Sequence, residues 1–185
     1  MFPIRLQKRA CTDDFKINHF LIHAQTGFLG LSDGGLPYVV PLNFIWWNET
    51  VYFHGATEGR KMSILEQNAQ CCFTISEEYG SMTSPVPAHT DTAYMSVMLF
   101  GSVELVTGLD EATAAMQQML DKYVPGYYDT PLTKTHIDRH RSSLGSRTAV
   151  LKLKPTSLSA KENERKEERM YYPGKKIGDD YGIGD

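Results

Sequence analysis

The run His54-Gly55-Ala56-Thr57-Glu58-Gly59-Arg60-Lys61 carries the densest chemistry in this 185-residue sequence. It reads as the end of a strand followed by a helix that starts on a glycine and two cations. Positive charge at that end opposes the helix dipole, which favours anions there, so local stability does not account for Arg60 and Lys61. A bound phosphate does, because helix N–H groups, a bidentate guanidinium and an ammonium can converge on one phosphoryl group. The competing reading is a solvated basic pair neutralised by Glu58 or Glu66.

Other candidate groups point less sharply. His19 and His23, and separately His136 and His140, stand four residues apart and could each set two imidazoles on one helical face. Neither pair has an intervening glutamate or a third ligand in register, so both read as surface histidines and no metal site is expected. His89 reads as a solvated loop histidine. Cys11, Cys71 and Cys72 make an odd count without a Cys-x-x-Cys spacing, which points to a reducing, cytoplasmic setting. Cys71 and Cys72 adjoin in a strand and face opposite ways, so they read as buried packing residues. No nucleophile elbow, P-loop or dinucleotide fingerprint is present.

The elements that must position these groups follow from pattern. Thr12-Asp13-Asp14 starts a helix carrying Ile17, Phe20, Leu21 and Ala24, expected to stop at Gly27. Short extended runs follow: Phe28 to Leu31, a Ser32-Asp33-Gly34-Gly35 turn, Leu36 to Phe44, and Val51 to His54. Pro37 and Pro41 cannot donate to a ladder, so their strand is an edge or a bulge. A short helix from Gly59 turns Met62, Leu65 and Ile64 inward, and a strand from Gln70 to Ile75 follows. Residues 77–92 lack apolar periodicity and read as a long loop, either functional or plain surface. Ala93 to Val106 is the longest strand, with Met95, Val97, Leu99, Val103 and Leu105 on a core face and Tyr94, Ser96 and Met98 on the other. Asp110 caps a helix with core methionines that ends at Pro125-Gly126, and Pro131 opens a short helix through His140. Thr148 to Leu153 is a strand that Ser157 to Ala160 could continue. Beyond Lys161, alternating charges and glycines predict a solvated helix and a loose tail, dividing the chain into a domain over 1–160 and a tail over 161–185. The fold class is a β-rich α+β domain built on an antiparallel barrel.

Composition bounds the partners. With 19 basic and 22 acidic residues and a net charge of -3, there is no positive field for a nucleic-acid backbone. A content of 41% hydrophobic and 22% charged residues excludes disorder, collagen and coiled coil. No apolar run approaches membrane length and no leader pattern opens the sequence, so a soluble protein is expected.

Pro37-Tyr38-Val39-Val40-Pro41-Leu42-Asn43-Phe44, then Val51 to Ala56 with Gly59-Arg60-Lys61, then Tyr94-Met95-Ser96-Val97 with Phe100-Gly101, together resemble the flavin-binding split-barrel family related to pyridoxamine 5'-phosphate oxidase. The resemblance runs in order over roughly residues 5 to 160 and is nearest to the branch of 5-nitroimidazole reductases. It implies a six-stranded antiparallel split barrel with short flanking helices, and a homodimer holding FMN in a groove between subunits. By position, Arg60, Lys61 and Thr57 would hold the flavin phosphate, and Val40, Pro41, Leu42 and Asn43 would lie along the isoalloxazine. His54 would sit near the ring or its substrate, positioning the substrate or donating a proton, and Tyr94 and Ser96 would contribute from the long strand. Met95 stands where relatives often carry a basic residue. The arginine-rich C-terminal signature of true pyridoxamine phosphate oxidases is missing, which disfavours vitamin B6 oxidation.

The function so implied is FMN-dependent reduction of a small organic substrate, with nitroaromatic compounds as a candidate class and a nicotinamide as donor. Two other readings keep the fold: a haem-binding relative with His54 or His89 as axial ligand, and a non-enzymatic flavin carrier or sensor.

Overall fold

A computed structural model describes residues 4–139, 145 and 148–181. In chain order the elements are β1 (Ala10–Cys11), α1 (Asp14–His23), β2 (Thr26–Asp33), β3 (Leu36–Asn43), β4 (Ile45–Trp47), β5 (Thr50–Ala56), α2 (Arg60–Gln67), β6 (Gln70–Met82), β7 (Asp91–Leu105), α3 (Leu109–Tyr123), α4 (Lys134–Arg139), β8 (Thr148–Leu153) and β9 (Ser157–Asn163). Among the described residues these nine strands form one antiparallel sheet ordered β3-β2-β6-β7-β8-β5-β4, with β9 pairing both β7 and β1. This is the β-rich split barrel expected from the sequence, with more strands than six because β1, β4 and β9 join the sheet.

The split occurs along β7. Its residues Tyr94 to Phe100 pair with β9, whereas Val103 to Leu105 pair with β8. Gly101 marks the changeover: a Cβ there would lie 2.8 Å from Leu153 Cδ1 and 3.0 Å from the Lys154 carbonyl, where the chain passes from β8 towards β9.

Two apolar cores result. Inside the barrel Leu21, Leu29, Phe44, Phe53, Phe73, Val97 and Leu99 are completely buried, with the Phe73 ring edge-on to Phe44 at 5.3 Å and stacked on Phe53 at 6.2 Å. A second core under α3 joins Ile45, Tyr52, Val106, Ala112, Ala115, Met119 and Val150. Strand alternation divides β5 between them, since Val51 and Phe53 enter the first core and Tyr52 the second.

Several boundaries differ from the sequence expectation. Asp13 caps α1, accepting from the Phe15 and Lys16 amides at 2.9 and 3.1 Å. That helix stops at His23, and Gly27 lies within β2, where a Cβ would come 2.2 Å from Phe73 Cε1; its glycine is needed for packing. The Gly34-Gly35 turn has φ of 57° and 93°, the left-handed backbone of a tight hairpin, and β3 is an edge strand as its prolines require. Ile64 is the deepest residue of α2, more so than Met62 and Leu65. The loop expected over 77–92 shrinks to 83–90 because β6 runs to Met82 through a bulge at Gly80. Leu105, expected in the core, is 53% exposed, and Val106 is buried instead.

Gly108, not Asp110, is the N-cap of α3, and Asp110 lies in its first turn. The helix predicted from Pro131 begins at Lys134, and His140 lies outside the described residues. Past Lys161 no α-helix forms among the described residues, only the short 3-10 turns Glu167–Arg169 and Ile177–Tyr181. β9 continues to Asn163, which is buried, and the following chain docks on the end of β6. The Thr83 amide donates to the Arg169 carbonyl at 2.7 Å, and Arg169 donates to the Thr83 and His89 carbonyls. Lys175 pairs with Asp180 at 2.8 Å with both side chains nearly buried; Gly182 and Gly184 lie outside the described residues. Among the described residues no helix is long and apolar enough to cross a membrane.

Candidate functional site

The start of α2 is built to leave its backbone donors open. Gly59 is the N-cap, with φ 102°, and it offers no side-chain acceptor; no acidic residue occupies the first turn. Arg60 donates to Asp33 at 3.2 Å and its guanidinium lies 5.0 Å from the Tyr38 ring centroid. Neither Glu58 nor Glu66 neutralises the pair. Lys61 makes no ion pair among the described residues. Its ammonium lies 5.6 Å from the centre of the Phe53 ring, in a space that a Cβ on Gly55 would invade, at 2.5 Å from Nζ. Burial pushes the Lys61 amine below its ordinary value. A half-buried cation without a carboxylate is electrostatically incomplete. Thr57 is exposed on the turn between β5 and α2.

Tyr38 carries the geometry on to β3. It shares a face with Val40 and Leu42, which pack on the barrel core, while Pro41 and Asn43 are exposed. The far end of β3 is fixed by the last residues of α3. Lys122 Nζ donates to the Ala24 and Phe44 carbonyls at 2.6 and 3.0 Å, and the Phe44 amide donates to Tyr123 Oη at 2.9 Å. Burial lowers the Lys122 amine to about 8. Asp33, Tyr38, Gly55, Lys122 and Tyr123 were not singled out from sequence. Only Gly55 had a local signal, a glycine inside a strand.

Tyr94 and Ser96 lie elsewhere. They stand opposite Glu78 and Ser76 on β7, with β6 and β2 between them and β3. They belong to the outward face of the sheet, where Phe28, Val39 and Met98 are 42, 61 and 39% exposed. One chain therefore does not bring them to Arg60 and Lys61.

His54 also faces away from that end. Because Gly55 points towards Lys61, alternation turns His54 to the other side of β5, where its Nδ1 is 3.1 Å from Met119 Sδ. It borders a cavity of about 490 Å³ between β5, β8, α3, α4 and the 128–132 segment. His19 and His23 stack at 4.2 Å on the exposed side of α1, and no group of three metal-ligating side chains gathers among the described residues. His89 is exposed in a turn. Cys71 and Cys72 are free and half-buried, less enclosed than expected, whereas Cys11 is buried. Burial pushes the Cys71 thiol up to about 12.

Comparison with known proteins agrees with this architecture. A crystal structure of a candidate 5-nitroimidazole antibiotic resistance protein from Bacteroides thetaiotaomicron superposes with a TM-score of 0.64 at 25% identity, covering 82% of this chain and 85% of that one. The flavocytochrome Anf3 from Azotobacter vinelandii gives 0.74 at 23% identity over 99% and 79%. The FAD and haem binding protein from Mycobacterium smegmatis gives 0.70 at 19% over 95% and 80%; at these identities the last two share the fold. No curated protein matches the chain. The family model described as pyridoxamine 5'-phosphate oxidase matches residues 13–162, and the chain belongs to that family.

Proposed function

We propose that the chain binds FMN and reduces a small organic substrate, with a nitroaromatic compound as the candidate class and a reduced nicotinamide as donor. The observation that carries this reading is the half-buried Lys61 ammonium, which has no carboxylate partner among the described residues and lies beside the uncapped start of α2. A phosphate monoester would complete it, accepting from Lys61, from Arg60 and from the first amides of α2, with Thr57 at the same end. Val40, Pro41, Leu42 and Asn43 would line the ring, their strand held in place by Lys122 and Tyr123. When bound, flavin supplies two-electron transfer; the protein orients it and limits water at its face. The similarity to the 5-nitroimidazole resistance protein supports the substrate class.

A homodimer belongs to the same proposal. The exposed face bearing Phe28, Val39 and Met98 supplies apolar area for a second copy, whose Tyr94 and Ser96 would then reach the flavin. His54 is not assigned a flavin contact, since within one chain it points away from Lys61.

The absorbance spectrum of purified protein tests the cofactor. Yellow protein that bleaches when a reduced nicotinamide and a nitroaromatic are cycled supports the proposal, and heat release followed by chromatography separates FMN from FAD. Colourless protein that does not bind added FMN overturns it, as does a Soret band in place of flavin absorbance. Bound flavin that no donor reduces would leave a carrier or sensor.

A further inference from the structure

Arg60 and Lys61 are held in different ways. Lys61 is fixed by burial over the Phe53 ring, whereas Arg60 leaves the first turn of α2 with its side chain 53% exposed. A free arginine in that position samples many rotamers. Two groups of the β2–β3 hairpin restrain it: Asp33 accepts from one guanidinium nitrogen at 3.2 Å, and the guanidinium carbon lies over the Tyr38 ring, 5.0 Å from its centre. We propose that Asp33 and Tyr38 are positioning residues that preset Arg60 for a phosphate, and so make the chain prefer FMN to its unphosphorylated counterpart, riboflavin. This rests on the reading of the α2 start as the flavin phosphate site.

The register of the hairpin brings both groups to the same side chain. Leu31 pairs with Tyr38 and Asp33 with Leu36, so strand alternation puts all four on one face. That is the face whose Leu29 and Leu31 are buried in the barrel core. Asp33 ends β2, and the left-handed Gly34 and Gly35 return the chain to Leu36. The carboxylate is therefore presented next to the strand that carries Tyr38.

Stability does not account for the arrangement. A single-point ion pair with side chains 53 and 37% exposed is screened by solvent and contributes little to folding. Its consequence is geometric. Asp33 takes one guanidinium nitrogen and Tyr38 one face, which leaves further N–H donors of the fork for a phosphate. On charge alone an acid beside an anion site is unfavourable. As an acceptor that orients the fork it is useful.

The test titrates FMN and riboflavin into flavin-stripped protein, followed by flavin fluorescence, and takes the ratio of the two affinities. Misfolding lowers both affinities together, whereas the ratio reads the phosphate end. Asp33→Ala and Asp33→Asn remove the same charge, and only alanine removes the acceptor. Tyr38→Leu and Tyr38→Phe both keep an apolar side chain, and only leucine removes the ring face. Ordering one long side chain on binding costs about two- to tenfold in affinity. The preference for FMN is expected to fall by that factor in Asp33→Ala relative to Asp33→Asn, and in Tyr38→Leu relative to Tyr38→Phe. Equal ratios within either pair overturn the proposal, while a wild-type preference for FMN leaves the phosphate reading standing. Wild-type protein that binds both flavins alike, or neither, overturns that reading and the proposal together. If Tyr38→Leu does not fold, the Asp33 pair at the hairpin end decides alone.

Discussion

Gly55→Ala separates a phosphate role for Lys61 from a packing role. The new Cβ would stand 2.5 Å from Lys61 Nζ and 3.4 Å from its Cε. Both atoms are the far end of a flexible side chain, so the ammonium moves and the backbone stays. Gly55 is not among the glycines with positive φ, and alanine at a compatible glycine stabilises by about 0.4–1 kcal/mol through the unfolded chain. The flavin-free protein should therefore keep its stability or gain up to about 1 kcal/mol in urea melts. Binding should move the other way. A hydrogen bond to a charged group contributes about 1.5–3 kcal/mol, and about 1.4 kcal/mol is tenfold in affinity, so losing the ammonium should weaken FMN roughly 10- to 100-fold. Quenching of flavin fluorescence on titration into stripped protein reads this directly, with Lys61→Met setting the largest loss. A folded Gly55→Ala protein that binds FMN within twofold of wild type refutes the assignment.

Three further outcomes follow from burial. Gly27→Ala drives a methyl group into the Phe73 ring, which is held between Phe44 and Phe53, and the overpacking should cost about 1–3 kcal/mol in denaturant midpoints. Lys122 has its amine lowered by burial from 10.5 to about 8. Between those values the unfolded chain holds a proton that the folded chain has lost, so stability rises with pH. The stability of wild type relative to Lys122→Met should be flat below pH 8 and should increase from 8 to 10.5; a fall across that window would contradict the burial. The Tyr52 phenol is pushed up to about 12, first by burial and then by its hydrogen bond to Glu111. In Glu111→Gln an ultraviolet titration should show it ionising earlier, yet still above 10, and the part-exposed Lys152–Glu111 pair should cost no more than about 1 kcal/mol.

The parts of the fold that could be read from sequence are those where one local rule acts alone. Prolines at 37 and 41 restrict β3 to an edge, and paired glycines at 34 and 35 close the hairpin. Alternation over Ala93 to Val103 gives β7 its core face. The failures have a common cause, in that a tertiary contact overrides a local signal. Gly27 looks like a helix stop but is a gap cut for Phe73. Glu77, Glu78 and Tyr79 look like loop because their strand has no fully apolar face there. The charges beyond Lys161 look solvated, yet Arg169 and Lys175 spend their donors on carbonyls and on Asp180 at the end of β6.

The candidate site divides along the same line. Arg60 and Lys61 stand out because helix electrostatics disfavours them, and that argument needs only the strand-then-helix order. The resemblance puts His54 near the ring or its substrate rather than at the phosphate, and adjacency in a strand turns it to the face opposite Gly55. The signal was present: Val51, Phe53 and Gly55 form one parity, while Tyr52, His54 and Ala56 form the other. Once Gly55 is the residue that makes room for Lys61, His54 must point to the far side, where it stays exposed beside Met119 of α3. The face of a strand residue is decided by its neighbours one step away, and its chemistry by what lies across that face. For β5 the result is two separate environments on one short strand, one facing the Lys61 ammonium and the other facing Met119 of α3.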